Sequence, residues 1–194
     1  MRFVFADSMD MVDPGYDFAG DRNSPGRESY WSDQYPHELF SSPPYDGILV
    51  SRAIVLGDGS QAKYSNAQAM RFCRVGARQF LRYEEKDYPG SLVFGDNGAF
   101  SYVREDEPPV TVDQTLDFYA HGGFTHGCST DHIILDYHDD GLFNNVAPSE
   151  KSLYRYQITL ENASAFLKKA ASLGPQFTPV GVVQGWSPSS MADA

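Results

Sequence analysis

The chain has 194 residues, of which 41% are hydrophobic and 14% aromatic, and this composition excludes an intrinsically disordered chain. The length is sufficient for a hydrophobic core, and we expect residues 1–194 to form a single domain. A formal net charge of −11 and a pI of about 4.7 argue against a protein that binds nucleic acid by general electrostatic attraction, because such proteins are basic.

No stretch of the sequence approaches the roughly eighteen apolar residues of a membrane span. Acidic residues follow the first apolar run too early for a signal peptide, so we expect a cytoplasmic protein with no membrane partner. Cys73 and Cys128 are too few for a disulfide framework or a four-cysteine zinc site. We predict that both are reduced, buried thiols.

Short apolar runs alternate with segments of helical periodicity along the chain. The apolar runs predict strands at residues 3–6, 45–51, 79–81, 91–101 with its turn, 125–136 and 177–184. The periodic segments predict helices at residues 63–76, 111–120 and 153–173, and a further helix that begins at residues 187–188. Thr111 and Gln114 match a capping box, and Gly76 is predicted to end the first of these helices.

Residues 14–44 interrupt this alternation. They are rich in Gly, Pro, Ser, Asp and aromatic residues, and they show no clear period apart from a possible helical turn or two at 28–40. A long irregular insertion is uncommon in a compact domain and is often functional.

Two groups of charged residues are interpreted as solvated surface. The acidic group has the spacing of metal ligands, but acids in a loop are usually solvated. The basic group can place at least three side chains on one helical face. The two groups are Asp7, Asp10 and Asp13, and Arg71, Arg74, Arg78 and Arg82.

Strands that alternate with helices predict an α/β fold with parallel strands and right-handed crossovers. A doubly wound sheet and a (β/α)8 barrel both fit this order. The sequence has no G-x-G-x-x-G motif and no phosphate-binding loop, and this absence argues against a doubly wound sheet that binds a nucleotide. A complete barrel needs roughly 250 residues. The five or six predicted strands therefore favour the N-terminal portion of a barrel.

Polar groups occur at three predicted strand ends, which converge on one face of a barrel. Asp96 lies in a turn between Gly95 and Gly98, although Asp-Asn-Gly is also an ordinary turn sequence. An acidic stretch at 131–140 and the pair Gln184-Gly185 follow two later strands. A carboxylate accepts hydrogen bonds from the ring N–H and amino group of a base, a glutamine amide donates to a ring carbonyl, and a glycine exposes its backbone N–H. The set is suited to a purine-like base.

Several alternatives remain open at these strand ends. Asp131 and Asp136 compete for the inward position, since the strand register decides which one points into the site. Phe100 and Tyr102 can stack on a flat ring or pack in the core. The acids and histidines of 131–140 also have the side-chain types of a metal site, as in a metal-dependent hydrolase on a barrel. The residues concerned are Asp131, His132, Asp136, His138, Asp139 and Asp140.

The chain resembles the tRNA-guanine transglycosylase family at these positions. Residues 95–101 are similar to that family's D-S-G-G/A-F-Q turn, with Asn97 in place of Ser and Ser101 in place of Gln. Residues 182–185 are similar to its V-Q-G strand end, and 129–131 to its middle strand-end aspartate. Further stretches resemble the branch that inserts 7-deazaguanines into DNA: residues 5–8, 12–14, 43–51, 100–105 and 129–132.

The resemblance implies a (β/α)8 barrel and a base exchange, in which guanine in DNA or tRNA is replaced by a free 7-deazaguanine such as 7-cyano-7-deazaguanine. It implies that Asp96 is catalytic and handles the proton of the leaving base. Asp131 and Gln184 would bind the base edge with a backbone contact from Gly185. Phe100 and Asp136 are further candidates for base binding.

The resemblance also implies two features that this sequence does not match. The family's nucleophilic aspartate lies on a later strand, which we expect beyond Ala194, and its Cys/Cys/Cys/His zinc site is expected in the same missing part. No cofactor is expected in this chain itself. The alternative is a non-catalytic module that binds a base or docks to other proteins of a DNA modification system.

Overall fold

The computed structural model describes residues 1–6, 9–57, 62–137 and 147–194. In these ranges the chain forms one sheet of five strands, in which every neighbouring pair is parallel. The strands are β1 (Val4–Ala6), β2 (Gly47–Ser51), β3 (Leu92–Asp96), β4 (His126–Cys128) and β5 (Thr178–Val180). The predicted α/β class with parallel strands is confirmed.

The spatial order of the strands is the same as their order in the chain, β1-β2-β3-β4-β5. A doubly wound sheet reverses this order at a switch point, as in the order 3-2-1-4-5-6. No reversal occurs among the described strands. The sheet is therefore compatible with part of a barrel, in which each strand lies beside the strand that precedes it.

Helices connect the strands and cover the sheet. They are α1 (Pro36–Leu39), α2 (Arg52–Leu56), α3 (Asn66–Phe80), α4 (Val112–Gly122), α5 (Glu150–Ala170) and α6 (Pro188–Ala192), with 3-10 turns at Ala99–Tyr102 and Ala171–Leu173. The predicted capping box begins α4, because the Thr111 side chain accepts a hydrogen bond from the Gln114 backbone N–H. The predicted start of α6 at Ser187 is also confirmed. No helix in the described ranges is long and apolar enough to cross a membrane.

The predicted strand at residues 79–81 is wrong, because α3 continues to Phe80. Gly76 has the positive φ of 81° expected at a helix end, but the helix kinks there and goes on. Phe72, Ala77 and Phe80 are all fully buried, so the apolar face continues across the kink. A Cβ at position 76 would lie 3.2 Å from the Gly122 carbonyl oxygen, and the glycine allows α3 to approach α4 closely.

Two strands are shorter than predicted. The apolar run at residues 133–135 lies outside β4, and Leu135 is 64% exposed. Likewise β5 ends at Val180, four residues before the predicted end at Gln184. The polar residues after β4 and β5 therefore lie in loops beyond the paired residues of the strands.

Aromatic rings form the core between the sheet and helices α3, α4 and α5. Phe72 on α3 stacks on Phe118 of α4, with ring centroids 5.7 Å apart. Tyr119, also on α4, is almost fully buried and meets Phe166 of α5 edge to face at 6.1 Å. This packing holds the helices against the sheet and fixes the strand ends that carry the candidate site.

The insertion at residues 14–44 contains α1 and the antiparallel bridge Asp17↔Arg22, and a second bridge joins Val12 to Gln34. Asp13 organises its first turn. The Asp13 carboxylate accepts hydrogen bonds from the Ser24 backbone N–H and hydroxyl, both at 2.7 Å. These bonds lower the pKa of Asp13. Asp7, the first residue of the predicted acidic group, lies outside the described residues.

Three of the four arginines interpreted as a solvated face bind other parts of the protein instead. The Arg71 guanidinium lies 4.8 Å from the centre of the Tyr30 ring, and Arg82 donates to the Asp33 carbonyl at 3.0 Å. Arg78 donates to the Ser91 carbonyl at 2.8 Å. Arg74 alone of the four is exposed. Arg71 on α3 and Arg82 just after it thus hold the insertion in place, a role that local sequence spacing does not reveal.

Candidate active site

The C-terminal ends of β2 to β5 meet at one edge of the sheet. Asp96 is the last residue of β3 and pairs with Ser51, the last residue of β2. Asp131 lies three residues after β4, and Gln184 four residues after β5. The Gln184 side-chain amide donates a hydrogen bond of 2.8 Å to the Asp131 carboxylate. Two of the predicted base-binding residues, from different strands, are thus in direct contact.

Asp96 is held by the turn that follows it. Its carboxylate accepts a hydrogen bond of 2.8 Å from the Gly98 backbone N–H, and Gly98 adopts a φ of 77°. A Cβ at Gly98 would lie 2.7 Å from the Ala53 Cβ, so this turn requires glycine for both conformation and space. Burial raises the pKa of Asp96, while hydrogen bonds from the Gly98 and Asn97 backbone oppose that shift.

Asp131 is only 5% exposed, and the pKa of its carboxyl group is shifted more strongly than that of Asp96. Burial raises its pKa to about 6, the Gln184 hydrogen bond opposes the rise, and the charge of Asp96 adds to it. The two carboxylates therefore act on each other across the strand ends. Asp131 changes its protonation state near pH 6, and at neutral pH it is predominantly the ionised, accepting form.

The structure shows which of the two aspartates, Asp131 or Asp136, points inward. Asp131 is buried and contacts Gln184. Asp136 is exposed and accepts hydrogen bonds of 3.1 Å from the hydroxyls of Ser149 and Ser152, at the N-terminus of α5. Of the two, Asp131 has the position from which a base can be bound together with Gln184.

The two aromatic candidates also differ in position. Phe100 lies in the 3-10 turn after Asp96 and is 74% exposed, so its ring is open to stacking. Tyr102 is fully buried, meets the His132 ring edge to face, and donates its hydroxyl to the Asp131 carbonyl at 3.1 Å. Tyr102 therefore packs in the core and supports the chain segment that carries Asp131.

Gly185 lies against the N-terminal turn of α6. A Cβ at this position would lie 2.6 Å from the Met191 Cγ and 2.9 Å from the Met191 backbone nitrogen. Glycine is needed for this close approach, which sets the direction in which the chain leaves Gln184. The backbone contact between Gly185 and a base remains a prediction.

The metal interpretation of residues 131–140 depends partly on residues outside the described ranges, namely His138, Asp139 and Asp140. His132 is fully buried, and its Nε2 lies 2.9 Å from the Glu105 carbonyl oxygen. In the described part of the chain, no three His, Cys, Asp or Glu side chains are grouped as metal ligands. The described residues thus do not fit the Cys/Cys/Cys/His zinc site that the resemblance implies.

The sequence did not reveal a set of buried polar residues next to the site. Asn97, Thr115, Ser129 and Thr130 are all fully buried at the ends of β3 and β4 and on α4. For Asn97, Ser129 and Thr130 the signal in the sequence is a run of polar residues directly after an apolar strand, but the same pattern occurs in ordinary turns. Thr115 lies inside α4 and has no such signal. Their partners are distant in the chain and become visible only in the folded structure.

The two cysteines differ in reactivity. Cys73 is exposed on α3, which corrects the prediction that both thiols are buried: the apolar face of α3 passes through Phe72 and leaves its neighbour on the solvent side. Cys128 ends β4, and burial followed by the charges of Asp96 and Asp131 raises the pKa of its thiol to about 12.

We therefore expect iodoacetamide at pH 8 to modify Cys73 and to leave Cys128 unmodified in the folded protein. Mass spectrometry of the intact chain should show one added group, and two after denaturation in urea. The variant Cys73→Ser should show none until it is denatured. Modification of the folded Cys73→Ser variant would contradict the burial and charge environment assigned to Cys128.

The fold and the site define an α/β protein in which carboxylates and an amide gather at the C-terminal edge of a parallel sheet. No family model matches the chain. A protein described as "DNA-guanine transglycosylase", from Salmonella montevideo, is 38% identical to it over 191 residues. This alignment covers 98% of the chain and 44% of the relative. The chain belongs to the transglycosylase family, as its motifs predicted, and it spans less than half the length of this relative.

Proposed function

We propose that this chain supplies the base-recognition part of a transglycosylase that replaces guanine in DNA with a 7-deazaguanine such as 7-cyano-7-deazaguanine. The observation that carries the proposal is the hydrogen-bonded pair Asp131–Gln184, 2.8 Å apart, within the electrostatic influence of Asp96. The choice of DNA over tRNA rests on the printed description of the relative. In this proposal β1 to β5 are five strands of a (β/α)8 barrel.

The pair matches the hydrogen-bonding edge that guanine and 7-deazaguanines share. The Asp131 carboxylate can accept the ring N–H and the exocyclic amino group of the base. The Gln184 amide nitrogen has two hydrogens: one is donated to Asp131, and the second can be donated to the ring carbonyl. The exposed Phe100 ring can stack on the base plane, and the Gly185 backbone N–H adds a contact at the edge.

The exchange needs a proton to move in each direction. The target nucleotide is turned out of its strand, and a nucleophilic carboxylate attacks the sugar carbon as the bond to guanine breaks. Guanine takes up a proton as it leaves the sugar. The incoming base releases a proton as it forms the new bond to the sugar, so the exchange involves no net gain or loss of protons. Asp96 has a pKa raised by burial and suits this proton-handling role. In the proposal, the nucleophile and the zinc site belong to sequence that corresponds to the rest of the relative.

Titration calorimetry with free bases tests the proposal on the chain itself. At pH 7.5 we expect binding of guanine and 7-cyano-7-deazaguanine but not of adenine, whose edge has the opposite donor and acceptor pattern. Affinity should fall as the pH drops through about 6, because protonation of Asp131 removes acceptor capacity. Asp131→Asn should weaken binding by about tenfold or more, the value of a hydrogen bond to a charged group.

Asp136→Asn is the matched control, because this exposed aspartate lies only five residues from Asp131 and contacts α5 instead. Its binding should equal that of the unaltered chain. Absence of guanine binding, or equal binding of adenine, would refute base recognition by this site. Equal weakening in both variants would show that a general loss of negative charge, and not the contact at Asp131, is responsible.

A further inference from the structure

The side chain of Asn97 continues the contact between β3 and β4 beyond the point where the main-chain ladder ends. The ladder consists of the residue pairs Phe94↔His126 and Gly95↔Gly127. Past it, the Asn97 side-chain amide donates to the Cys128 carbonyl at 3.2 Å and to the Ser129 carbonyl at 2.9 Å. Asn97 is fully buried, so these bonds are shielded from water.

The other end of the Asn97 amide is held as well. Its oxygen accepts a hydrogen bond of 2.9 Å from the Thr115 hydroxyl on α4, and that hydroxyl lies 2.9 Å from the Thr130 hydroxyl. All three side chains are fully buried. These partners also fix the amide orientation, since the nitrogen faces two carbonyl oxygens and the oxygen faces a hydroxyl. Asn97 therefore has one defined position between β3, β4 and α4.

Ser129, which accepts a hydrogen bond from Asn97, is itself hydrogen-bonded to β5 and the residues after it. Its backbone N–H donates to the Val180 carbonyl at 2.9 Å, and its hydroxyl accepts from the Val182 backbone N–H at 2.9 Å. Asp131 follows Ser129 by two residues, and Gln184 follows Val182 by two residues. The network that begins at Asn97 thus reaches both chain segments whose side chains form the Asp131–Gln184 pair.

We propose that Asn97 is a positioning residue, whose amide holds the ends of β3 and β4 so that the Asp131–Gln184 pair faces Asp96. The inference deepens the proposed function and rests on it for the identity of the ligand. The geometry that it claims can be tested without any ligand. Asn97 contacts no reacting atom in this role: it acts through Ser129 and the segment that leads to Asp131.

The chain provides a matched control at the opposite end of the same two strands. The Thr125 hydroxyl donates to the Val93 carbonyl at 3.0 Å and accepts from the Val93 backbone N–H at 3.0 Å. Like Asn97, it joins β3 to β4 by side-chain hydrogen bonds, but at the N-terminal edge of the sheet. Asn97→Ala and Thr125→Val should both lower the melting temperature, whereas only Asn97→Ala should alter the site.

The decisive readout is the titration of Asp131, followed by NMR on protein labelled with 13C at the aspartate carboxyls and assigned with Asp131→Asn. The charge of Asp96 acts on Asp131, and the charge of Asp131 in turn acts on the two other titratable groups nearby, Tyr119 and Cys128. Tyr119 and Cys128 remain neutral from pH 4 to 8, since burial raises the pKa of both, and Asp96 is followed in the same spectra. Asp131 should titrate near pH 6 in the unaltered chain.

In Asn97→Ala we expect the Asp131 midpoint to fall by about one pH unit, because the loosened segment admits water and weakens the influence of Asp96. The affinity for guanine should fall about tenfold, and Thr125→Val should change neither value. An unchanged midpoint in Asn97→Ala, or an equal change in Thr125→Val, would overturn the inference. If the unaltered chain binds no base, the proposed function fails, while the titration still tests the position of Asp131.

Ser129→Ala covers the case in which Asn97→Ala does not fold. It removes only the acceptor for the Val182 N–H and leaves the Asn97 amide in place. We expect the side-chain amide resonance of Gln184 to move toward that of a free glutamine, as the hydrogen bond to Asp131 loosens. A Gln184 resonance identical to that of the unaltered chain would contradict the connection from Ser129 to the pair.

Discussion

Replacing Asp131 with asparagine is expected to stabilise the folded chain at pH 8, although it removes a residue of the proposed site. Burial raises the pKa of Asp131 from 3.8 to about 6, so the folded protein holds an ionised carboxylate at pH 8 in an environment that favours the neutral form. A shift of this size corresponds to about 2–3 kcal/mol of unfolding free energy. Asparagine is neutral and retains an oxygen that can accept the Gln184 hydrogen bond.

Because the pKa of Asp131 is raised by folding, the gain in stability expected for Asp131→Asn depends on pH. Because the pKa is raised in the folded state, the Asp131 contribution is most favourable below the unfolded pKa near 3.8 and is lost as the pH rises through about 6. The advantage of Asp131→Asn should therefore be largest at pH 7–8 and should vanish by about pH 4. Urea unfolding at pH 4, 6 and 8 measures it.

Asp136→Asn is the matched control: this aspartate is exposed and lies outside the buried pair, so its replacement should give no gain in stability at pH 8. A variant Asp131→Asn that is less stable than the unaltered chain at pH 8, or whose advantage is independent of pH, would contradict the environment assigned to Asp131. If the prediction holds, the carboxylate lowers stability at the position where it would bind a base. Such a cost is typical of residues retained for function.

The second large effect is expected for Gly127→Ala in β4. A Cβ at Gly127 would lie 2.5 Å from two carbons of the Tyr119 ring and 2.9 Å from the Phe177 Cζ. The Tyr119 ring also lies against Gly95 of β3, where a Cβ would overlap it as well. Tyr119 is 1% exposed and its hydroxyl donates to the Cys128 carbonyl at 2.9 Å, so the ring cannot move without loss of packing and of this bond.

We expect Gly127→Ala to reduce the free energy of unfolding by about 3 kcal/mol, at the upper end of the cost of overpacking a core. Gly181→Ala is the control, since a Cβ there makes only one ordinary contact of 3.4 Å with Leu167, and its effect should be within about 0.5 kcal/mol. Equal stability of the two variants in urea unfolding would refute the close packing of Tyr119 on the sheet.

The packing of Tyr119 also bears on the site. Two small residues at adjacent positions of β3 and β4, Gly95 and Gly127, let one large ring cover the sheet just before the strands end. The ring's hydroxyl then reaches the Cys128 carbonyl, which is also a partner of Asn97. The glycines thus allow the Tyr119 ring to pack close to the strand ends that lead to Asp96 and Asp131.

Local patterns in the sequence determined the alternation of strands and helices, the capping box at Thr111 and the position of Asp96 at a strand end. Each of these depends on residues close together in the chain: an apolar run, a cap three residues from its partner, or a carboxylate between two glycines. The motif residues were also sufficient to identify the family. Gly76 shows the limit of such reasoning, because its positive φ was foreseen but the continuation of α3 depends on burial against other elements.

Only the tertiary structure decided which of Asp131 and Asp136 joins Gln184, and how Asn97 connects the strand ends. These contacts join residues that are 31 to 53 positions apart in the chain, as in the bonds from Asn97 to Cys128 and from Gln184 to Asp131. Strand register and the loops beyond the ladder set such distances, and a shift by one residue would turn the same side chains to the other face. The residue types in the sequence therefore determine which functional groups the site can contain, while long-range packing determines how those groups are arranged.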